Sequence, residues 1–134
     1  RLVDGYGPNI KLMKEMLDDK VDLLLTLDCG TTSNEIIDNK EFKQIDVIAI
    51  DHHLSEINLP NVLAVINPNR VDDTSDYKQL AAVGVTFLFL MYLRKKLREL
   101  NKFNEIKEPN LLSYLDLVAL GTVCDVVELK QYNK

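Results

Sequence analysis

The two histidines of the chain stand side by side after an aspartate, in the segment 49–57 (AIDHHLSEI). Asp51, His52 and His53 together offer one carboxylate and two neutral imidazoles. Such a set of ligands suits Mn²⁺, Fe²⁺ or Zn²⁺ better than Ca²⁺. The alternative is that these residues form the polar end of a strand that faces water, and so short a motif leaves both interpretations open.

Two aspartates each end a short apolar run that has the pattern of a buried strand. Asp28 ends the run 21–28 (VDLLLTLD), and Asp51 ends the run 45–51 (IDVIAID). Parallel strands joined by right-handed crossovers have their carboxyl ends at one edge of the sheet, so we expect both acids in one neighbourhood. Two carboxylates held together there repel each other unless a proton or a cation lies between them.

The two histidines are expected to have different roles. Neighbouring residues of an extended chain point to opposite sides. If His52 faces a metal ion, we therefore expect His53 to face an adjacent group such as a substrate phosphate. Asp125 follows another apolar segment and is a further candidate acid.

Cys29 and Cys124 each adjoin one of these acids, which raises the alternative of a zinc site with two cysteines and two histidines. Structural zinc sites usually take cysteines as close pairs, and these two are far apart in the sequence. We expect both to be small, buried and unreactive. Two cysteines are also too few for a disulfide framework, which favours a reducing cytoplasm.

The elements that must position these residues follow the order of an α/β protein. Strands alternate with helical patterns in the first half of the chain, which predicts a parallel sheet. A capping box at Thr32 and Glu35 predicts a helix that runs to about Lys43. The other predicted elements are a helix within 8–20, strands at 21–28, 45–51 and 61–68, a loop at 69–78, a long helix at 80–100 and a buried helix from 111 with an irregular end near Asp125.

The composition is that of an ordinary globular domain, with 134 residues, 46% hydrophobic and 28% charged. We therefore expect one domain, or one piece of a domain, over 1–134. The net charge of −5 argues against nucleic-acid binding through a positive field alone, so a polyanion would need a local cation. The start, RLVDGYG, has no signal-peptide pattern and no Met, so we expect a piece of a longer protein.

Six blocks, in this order, resemble the DHH phosphoesterase family and cover nearly the whole chain. The blocks are GYGPN (5–9), LTLDCG (25–30), AIDHHL (49–54), INPNR (66–70), LAAVGVTFLFL (80–90) and LDLVALGTVCDVVEL (115–129). The resemblance implies a Rossmann-like parallel sheet with helices on both faces. It also implies that phosphoesters are hydrolysed at a pair of Mn²⁺ or Mg²⁺ ions.

The resemblance also implies a role for each site residue. Asp28 would bridge the two metal ions, and His52 and Asp125 would be ligands of one of them. His53 would face the scissile phosphate. Asp51 would be either a ligand or a group that orients its neighbours, and the sequence leaves that choice open.

Within the family, the blocks INPNR and LDLVALGT favour the single-stranded-DNA-specific exonucleases, which act 5′→3′ in DNA repair and recombination. The implied partners are single-stranded DNA and a helicase or single-strand-binding protein, with no membrane. One alternative is a relative that acts on short oligonucleotides, cyclic dinucleotides or pyrophosphate. Another is a domain that binds without catalysis.

Two departures from the family pattern predict a partial domain. The family's earlier Asp-x-Asp block, which supplies further carboxylates, does not occur in the chain, nor does the C-terminal domain that helps to hold substrate. We therefore expect little hydrolysis by these 134 residues alone. Asn69 and Arg70 are candidate substrate contacts, or else they cap a turn. Gly84 could expose backbone N–H groups to a phosphate, or else it allows close packing.

Overall fold

A computed structural model describes residues 5–134. Residues 1–4 lie outside the described residues, and so does the part of the predicted domain and of the sequence RLVDGYG that falls on them. The chain divides into two compact units, 1–78 and 79–134, and each is described by itself. That the whole chain is one partial domain stays a prediction.

The first unit is built on a parallel sheet of three strands in the order β1, β2, β3. The strands are β1 (Leu23–Leu27), β2 (Asp46–Ile50) and β3 (Ala64–Ile66). Leu27 pairs with Ile50, and Ile50 pairs with Ile66, so all three strands end in one row. The residue after each strand therefore emerges at the same edge. Those three residues are Asp28, Asp51 and Asn67.

Helix α1 spans Ile10–Asp18 and begins at the Asn9 cap, whose side chain accepts a hydrogen bond from the Leu12 N–H at 2.9 Å. Its apolar residues recur every three or four positions, as predicted. The strand predictions are also confirmed, although β3 is shorter than its apolar run. The predicted α/β class with a parallel sheet is therefore confirmed.

Helix α2 spans only Asn34–Ile37, so the predicted capping box at Thr32 and the helix as far as Lys43 are wrong. The backbone of Asn39 is extended, with φ −62° and ψ 128°, which interrupts the helix. Its side chain then caps a separate 3₁₀ turn, Lys40–Phe42. Because the helix stops there, the 3₁₀ turn places the side chain of Phe42 in the core.

The hydrophobic core of the first unit lies beneath α1, α2 and the 3₁₀ turn. It consists of Met13, Ile37, Phe42, Ile45 and Val47. The expectation that β1 is buried on both faces is wrong, because Leu23, Leu25 and Leu27 are 44–52% exposed. Thr26, on the other face of β1, is buried.

The second unit contains two α-helices. Helix α3 spans Ala82–Glu99, close to the predicted bounds, and a 3₁₀ turn, Leu111–Tyr114, leads into α4, Leu115–Cys124. The helices approach closely at Gly121, where an added Cβ would lie 2.9 Å from Cγ1 of Val83. A glycine at that position permits the close approach.

The prediction that α4 is a buried helix is wrong, because most of its apolar side chains are exposed. The apolar residues of α4 that are 46–61% exposed are Leu115, Leu117, Leu120 and Val123. An all-apolar pattern does not show whether protein or solvent surrounds a helix. None of the helices in residues 5–134 is long and apolar enough to cross a bilayer.

The contact between Gly121 and Val83 predicts that Gly121→Ala destabilises the second unit. Alanine improves helix propensity by about 1 kcal/mol, but overpacking against a stiff β-branched side chain costs about 1–3 kcal/mol. We expect a net loss in the free energy of unfolding, measured in urea. Val83→Ala should suppress that loss in the double variant. Gly84→Ala is the matched control, because its new Cβ would approach only the flexible side chain of Leu80, with Cδ2 nearest at 3.3 Å. An equal loss there would contradict the explanation.

Candidate metal centre

Three side chains that could bind a metal converge at the carboxyl edge of the sheet. Asp28, His52 and His53 each offer one ligand atom, and these atoms all lie within 4.8 Å of one another. Asp28 follows β1, and the two histidines follow β2 by two and three residues. The predicted neighbourhood of strand-end groups is therefore present within the first unit.

Asp28 is held in an unusual backbone conformation at the end of β1. Its φ is +61°, in the left-handed region, which aspartate tolerates better than most residues. Its N–H donates to the carbonyl of Ile50 at 3.0 Å, and the hydroxyl of Tyr6 donates to its carbonyl. These bonds fix the peptide units on both sides of the Asp28 side chain.

The carboxylate of Asp28 fits a cation. Its Oδ1 lies 3.3 Å from Nε2 of His52 and is buried, yet it accepts no hydrogen bond from the part of the chain that the structure describes. A buried oxygen without a donor is costly. A divalent cation between carboxylate and imidazole would satisfy this oxygen, and that donor set suits Mn²⁺, Fe²⁺ or Zn²⁺.

Asp51 is only 1% exposed, and both of its carboxylate oxygens accept hydrogen bonds. Oδ1 accepts from the His52 N–H at 2.8 Å, from the His53 N–H at 3.3 Å and from Nδ1 of His53 at 2.6 Å. Oδ2 accepts from the Thr31 N–H at 3.1 Å. These are the contacts of a group that orients its neighbours.

Hydrogen bonding keeps Asp51 ionised despite its burial. Burial raises the pKa of this carboxyl, but the hydrogen bond from His53 and those from Thr31 and His52 lower it by more. The pKa of Asp51 therefore lies below its ordinary value. An ionised Asp51 can only accept, so Nδ1 of His53 carries the proton in this contact.

Both histidine rings approach Asp28, because β2 ends at Ile50 and the chain bends at His53. The ring centroids of His52 and His53 lie 4.7 Å apart, with 64° between the ring planes. The expectation that adjacent residues point apart holds only within a strand. The turn formed around the Asp51 carboxylate brings the two rings to one place.

Sequence reasoning missed Thr31 and Asn67, which are both buried beside this site. Thr31 donates its N–H to Asp51, and Asn67 donates to the hydroxyl of Thr31 and to the carbonyl of His53. A signal was present for Asn67, because it follows β3 as Asp28 and Asp51 follow their strands. An amide carries no charge, so its residue type alone does not suggest a chemical role.

Asn69 and Arg70 bind the protein itself. The side chain of Asn69 donates to the carbonyl of His52 at 2.6 Å and to that of Lys78 at 3.0 Å. Arg70 donates to Asp72 through Nε and Nη2 and to a backbone carbonyl through Nη1. These contacts favour the interpretation that both residues hold turns.

Asp125 and Gly84 lie in the second unit. Asp125 caps the C-terminus of α4, and the next residue, Val126, has a φ of +59°. Gly84 is buried in the first turn of α3, where an added Cβ would lie 3.3 Å from Cδ2 of Leu80. The roles expected for Asp125 and Gly84 stay predictions.

Neither cysteine belongs to the group of converging ligands. Burial and the charges of Asp51 and Asp28 raise the pKa of the Cys29 thiol, which makes it less reactive, as expected. The expected burial of Cys124 is wrong, since it is exposed on α4.

A cleft of 630 Å³ opens beside His53. It is lined by Tyr6, Gly7, Cys29, Gly30, Thr32, Ser33, Asp51, His53 and Leu54.

Curated relatives of this chain are single-stranded-DNA-specific exonucleases named RecJ. The chain is 43% identical to RecJ of Dickeya dadantii and 41% identical to RecJ of Escherichia coli K12, and the alignments cover all of it. They cover 24% of each relative, so the chain spans about a quarter of their length. RecJ of Thermus thermophilus is 33% identical over the whole chain and 18% of its own length.

Two solved structures resemble the chain. A crystal structure of exonuclease RecJ bound to manganese has a TM-score of 0.77 and 33% identity, covering 99% of this chain and 31% of that one. RecJ from Thermus thermophilus in complex with Mn²⁺ has a TM-score of 0.69 and 32% identity, covering 93% of this chain and 17% of that one. The likeness therefore extends to both sequence and fold.

The sequence of the chain also matches a described protein family. The match is to the "DHH family, N-terminal domain", and it runs from residue 3 to residue 122, through both compact units. It includes Asp28 and the segment Asp51–His53 that forms the centre described above. The chain belongs to the DHH family.

Proposed function

We propose that the chain works as part of a metal-dependent exonuclease that hydrolyses phosphodiester bonds of single-stranded DNA from the 5′ end. The observation that carries the proposal is the convergence of Asp28, His52 and His53 at the sheet edge in a chain of the DHH family. The relatives named for this activity align over the full chain. The process served is DNA repair and recombination.

The metal ligands that we propose are Asp28 and His52, joined by Asp125 on the strength of the resemblance. The cofactor would be Mn²⁺ or Mg²⁺, and the family resemblance implies two ions that Asp28 would help to hold. A divalent ion supplies a Lewis acid that lowers the pKa of a water and neutralises charge on phosphate oxygens. Support comes from the buried Oδ1 of Asp28 beside Nε2 of His52 and from the manganese in the similar RecJ structures.

The other residues at this edge of the sheet hold and orient the side chains of the site. We infer that Asp51 is the orienting group and not a ligand, because both of its oxygens already accept hydrogen bonds. It fixes the His53 ring so that Nε2 can donate to a substrate phosphate once that nitrogen carries a proton. The cleft beside His53 could hold the single strand of DNA.

The acidic balance of the chain makes the cation part of substrate binding. With a net charge of −5, this chain has no general attraction for a polyanion. A phosphate would meet the cation at the sheet edge before it meets carboxylates. The proposed partners are single-stranded DNA and a helicase or single-strand-binding protein that exposes it, in the cytoplasm.

The substrate assignment predicts how the full-length protein acts with Mn²⁺. We expect release of nucleotides from the 5′ end of a single strand, while a blunt duplex of the same sequence stays intact. Gel analysis of strands labelled at the 5′ or 3′ end distinguishes the polarity. Cleavage of cyclic dinucleotides or pyrophosphate with no attack on single strands would overturn the assignment, and the 134-residue chain alone should show negligible cleavage.

The metal site predicts that Asp28→Asn removes Mn²⁺ binding without disturbing the backbone, because asparagine also tolerates a positive φ. Affinity should fall by more than the roughly 10–100-fold that loss of an orienting group costs, and cleavage by the full-length protein should be lost. Calorimetry measures the binding. Asp22→Asn is the control, since it removes the same charge just before β1, and unchanged affinity in Asp28→Asn would refute the ligand role.

The orienting role predicts that Asp51→Asn weakens both stability and catalysis. The amide cannot accept from all the N–H groups that surround Asp51, so the free energy of unfolding should fall by about 1–3 kcal/mol. The kcat of the full-length protein should fall about 10–100-fold, since His53 loses its orientation, with a smaller change in KM. Asp46→Asn, at the start of β2, is the control. A normal kcat in Asp51→Asn would show that orientation of His53 does not matter.

A further inference from the structure

Two asparagines after β3 bind the backbone carbonyls of the two histidines. Nδ2 of Asn67 donates to the carbonyl of His53 at 2.8 Å, and Nδ2 of Asn69 donates to the carbonyl of His52 at 2.6 Å. Asn69 also donates to the carbonyl of Lys78 at 3.0 Å. Two adjacent peptide groups of the site are thus held by side chains from one turn.

Asn67 uses its whole amide in these contacts. It is 4% exposed, and Nδ2 also donates to the hydroxyl of Thr31 at 3.0 Å. Its Oδ1 accepts from the Asn69 N–H at 2.8 Å. An amide placed in this way joins the turn after β3 to the loop after β1 and to the histidine pair.

The contacts form a closed ring. Thr31 donates its N–H to Asp51, Asp51 accepts from His53, His53 gives its carbonyl to Asn67, and Asn67 donates to the Thr31 hydroxyl. Thr31 and Asp51 are each 1% exposed, so little water competes. Fully satisfied polar networks of this kind make a local structure rigid and unique.

The histidine backbone is therefore held from two sides. The Asp51 carboxylate accepts from the N–H groups of His52 and His53, and the asparagine amides donate to the carbonyls of the same two residues. When the peptide groups of a histidine change their orientation, its imidazole ring moves with them. A small rotation there would move the His52 ring away from Asp28, which lies only 3.3 Å from it.

We propose that Asn67 and Asn69 are positioning residues, which hold the backbone of His52 and His53 so that both rings converge on Asp28. The proposal rests on the proposed metal-dependent function for its effect on catalysis. The asparagines touch the histidine backbone and not the ligand atoms, so their loss should loosen the site without removing a ligand.

Asn69→Ala in this chain is the main test, because Asn69 is only partly buried and its loss leaves the core intact. Mn²⁺ titration should show affinity lowered about 10-fold, as for other groups that orient ligands. In the metal-free chain, backbone order parameters of His52 and His53 should fall from the rigid value of about 0.85 toward the flexible range below about 0.6. In Asn69→Asp the side chain keeps its size, but its carboxylate cannot donate a hydrogen bond. This variant should therefore show the same losses as Asn69→Ala.

Asn34→Ala is the matched control, since it removes an amide bond to a different carbonyl, that of Asn58 at 2.9 Å. It should change neither Mn²⁺ affinity nor the order of the histidine backbone. If both Asn69 variants match Asn34→Ala in both measurements, the positioning role is refuted. If the unaltered chain binds no Mn²⁺, the proposed metal site in this chain fails, while the order parameters still decide the positioning role.

Discussion

The site depends on one buried carboxylate, that of Asp51. Its negative charge is stable at the carboxyl edge of the sheet because N–H groups from two loops and one imidazole donate to it. The same bonds hold the bend that follows β2, where the rings of His52 and His53 lie 4.7 Å apart. In an extended strand, two neighbouring histidines would instead point to opposite sides.

The register of the sheet explains why the three loops can meet. Leu27, Ile50 and Ile66 lie in one row, so each strand delivers its next residue to the same edge. β1 delivers the carboxylate of Asp28, β2 delivers the carboxylate of Asp51, and β3 delivers the amide of Asn67. The three loops therefore have different roles. The loop after β1 carries the carboxylate of Asp28, while groups in the loops after β2 and β3 hold the imidazoles in place.

Sequence patterns predicted the elements well where local preference and tertiary packing agree. The runs that became β1 and β2 are short and mostly apolar, α3 begins with a long apolar stretch, and the bounds of all three differ little from the prediction. The pattern failed at α2, where the side chain of Asn39 begins a new turn and places Phe42 in the core. It also failed for α4, because apolar residues do not show what surrounds them.

The sequence by itself determined the family, the parallel α/β class and the candidates Asp28, His52 and His53, because residue types and their spacing are visible along the chain. Only the tertiary structure decided that Asp51 accepts from both histidines and that Asn67 and Asn69 hold their carbonyls. The physical reason is that a hydrogen bond needs direction as well as residue type. The sheet register and the turns after the strands set those directions, and no local pattern records them.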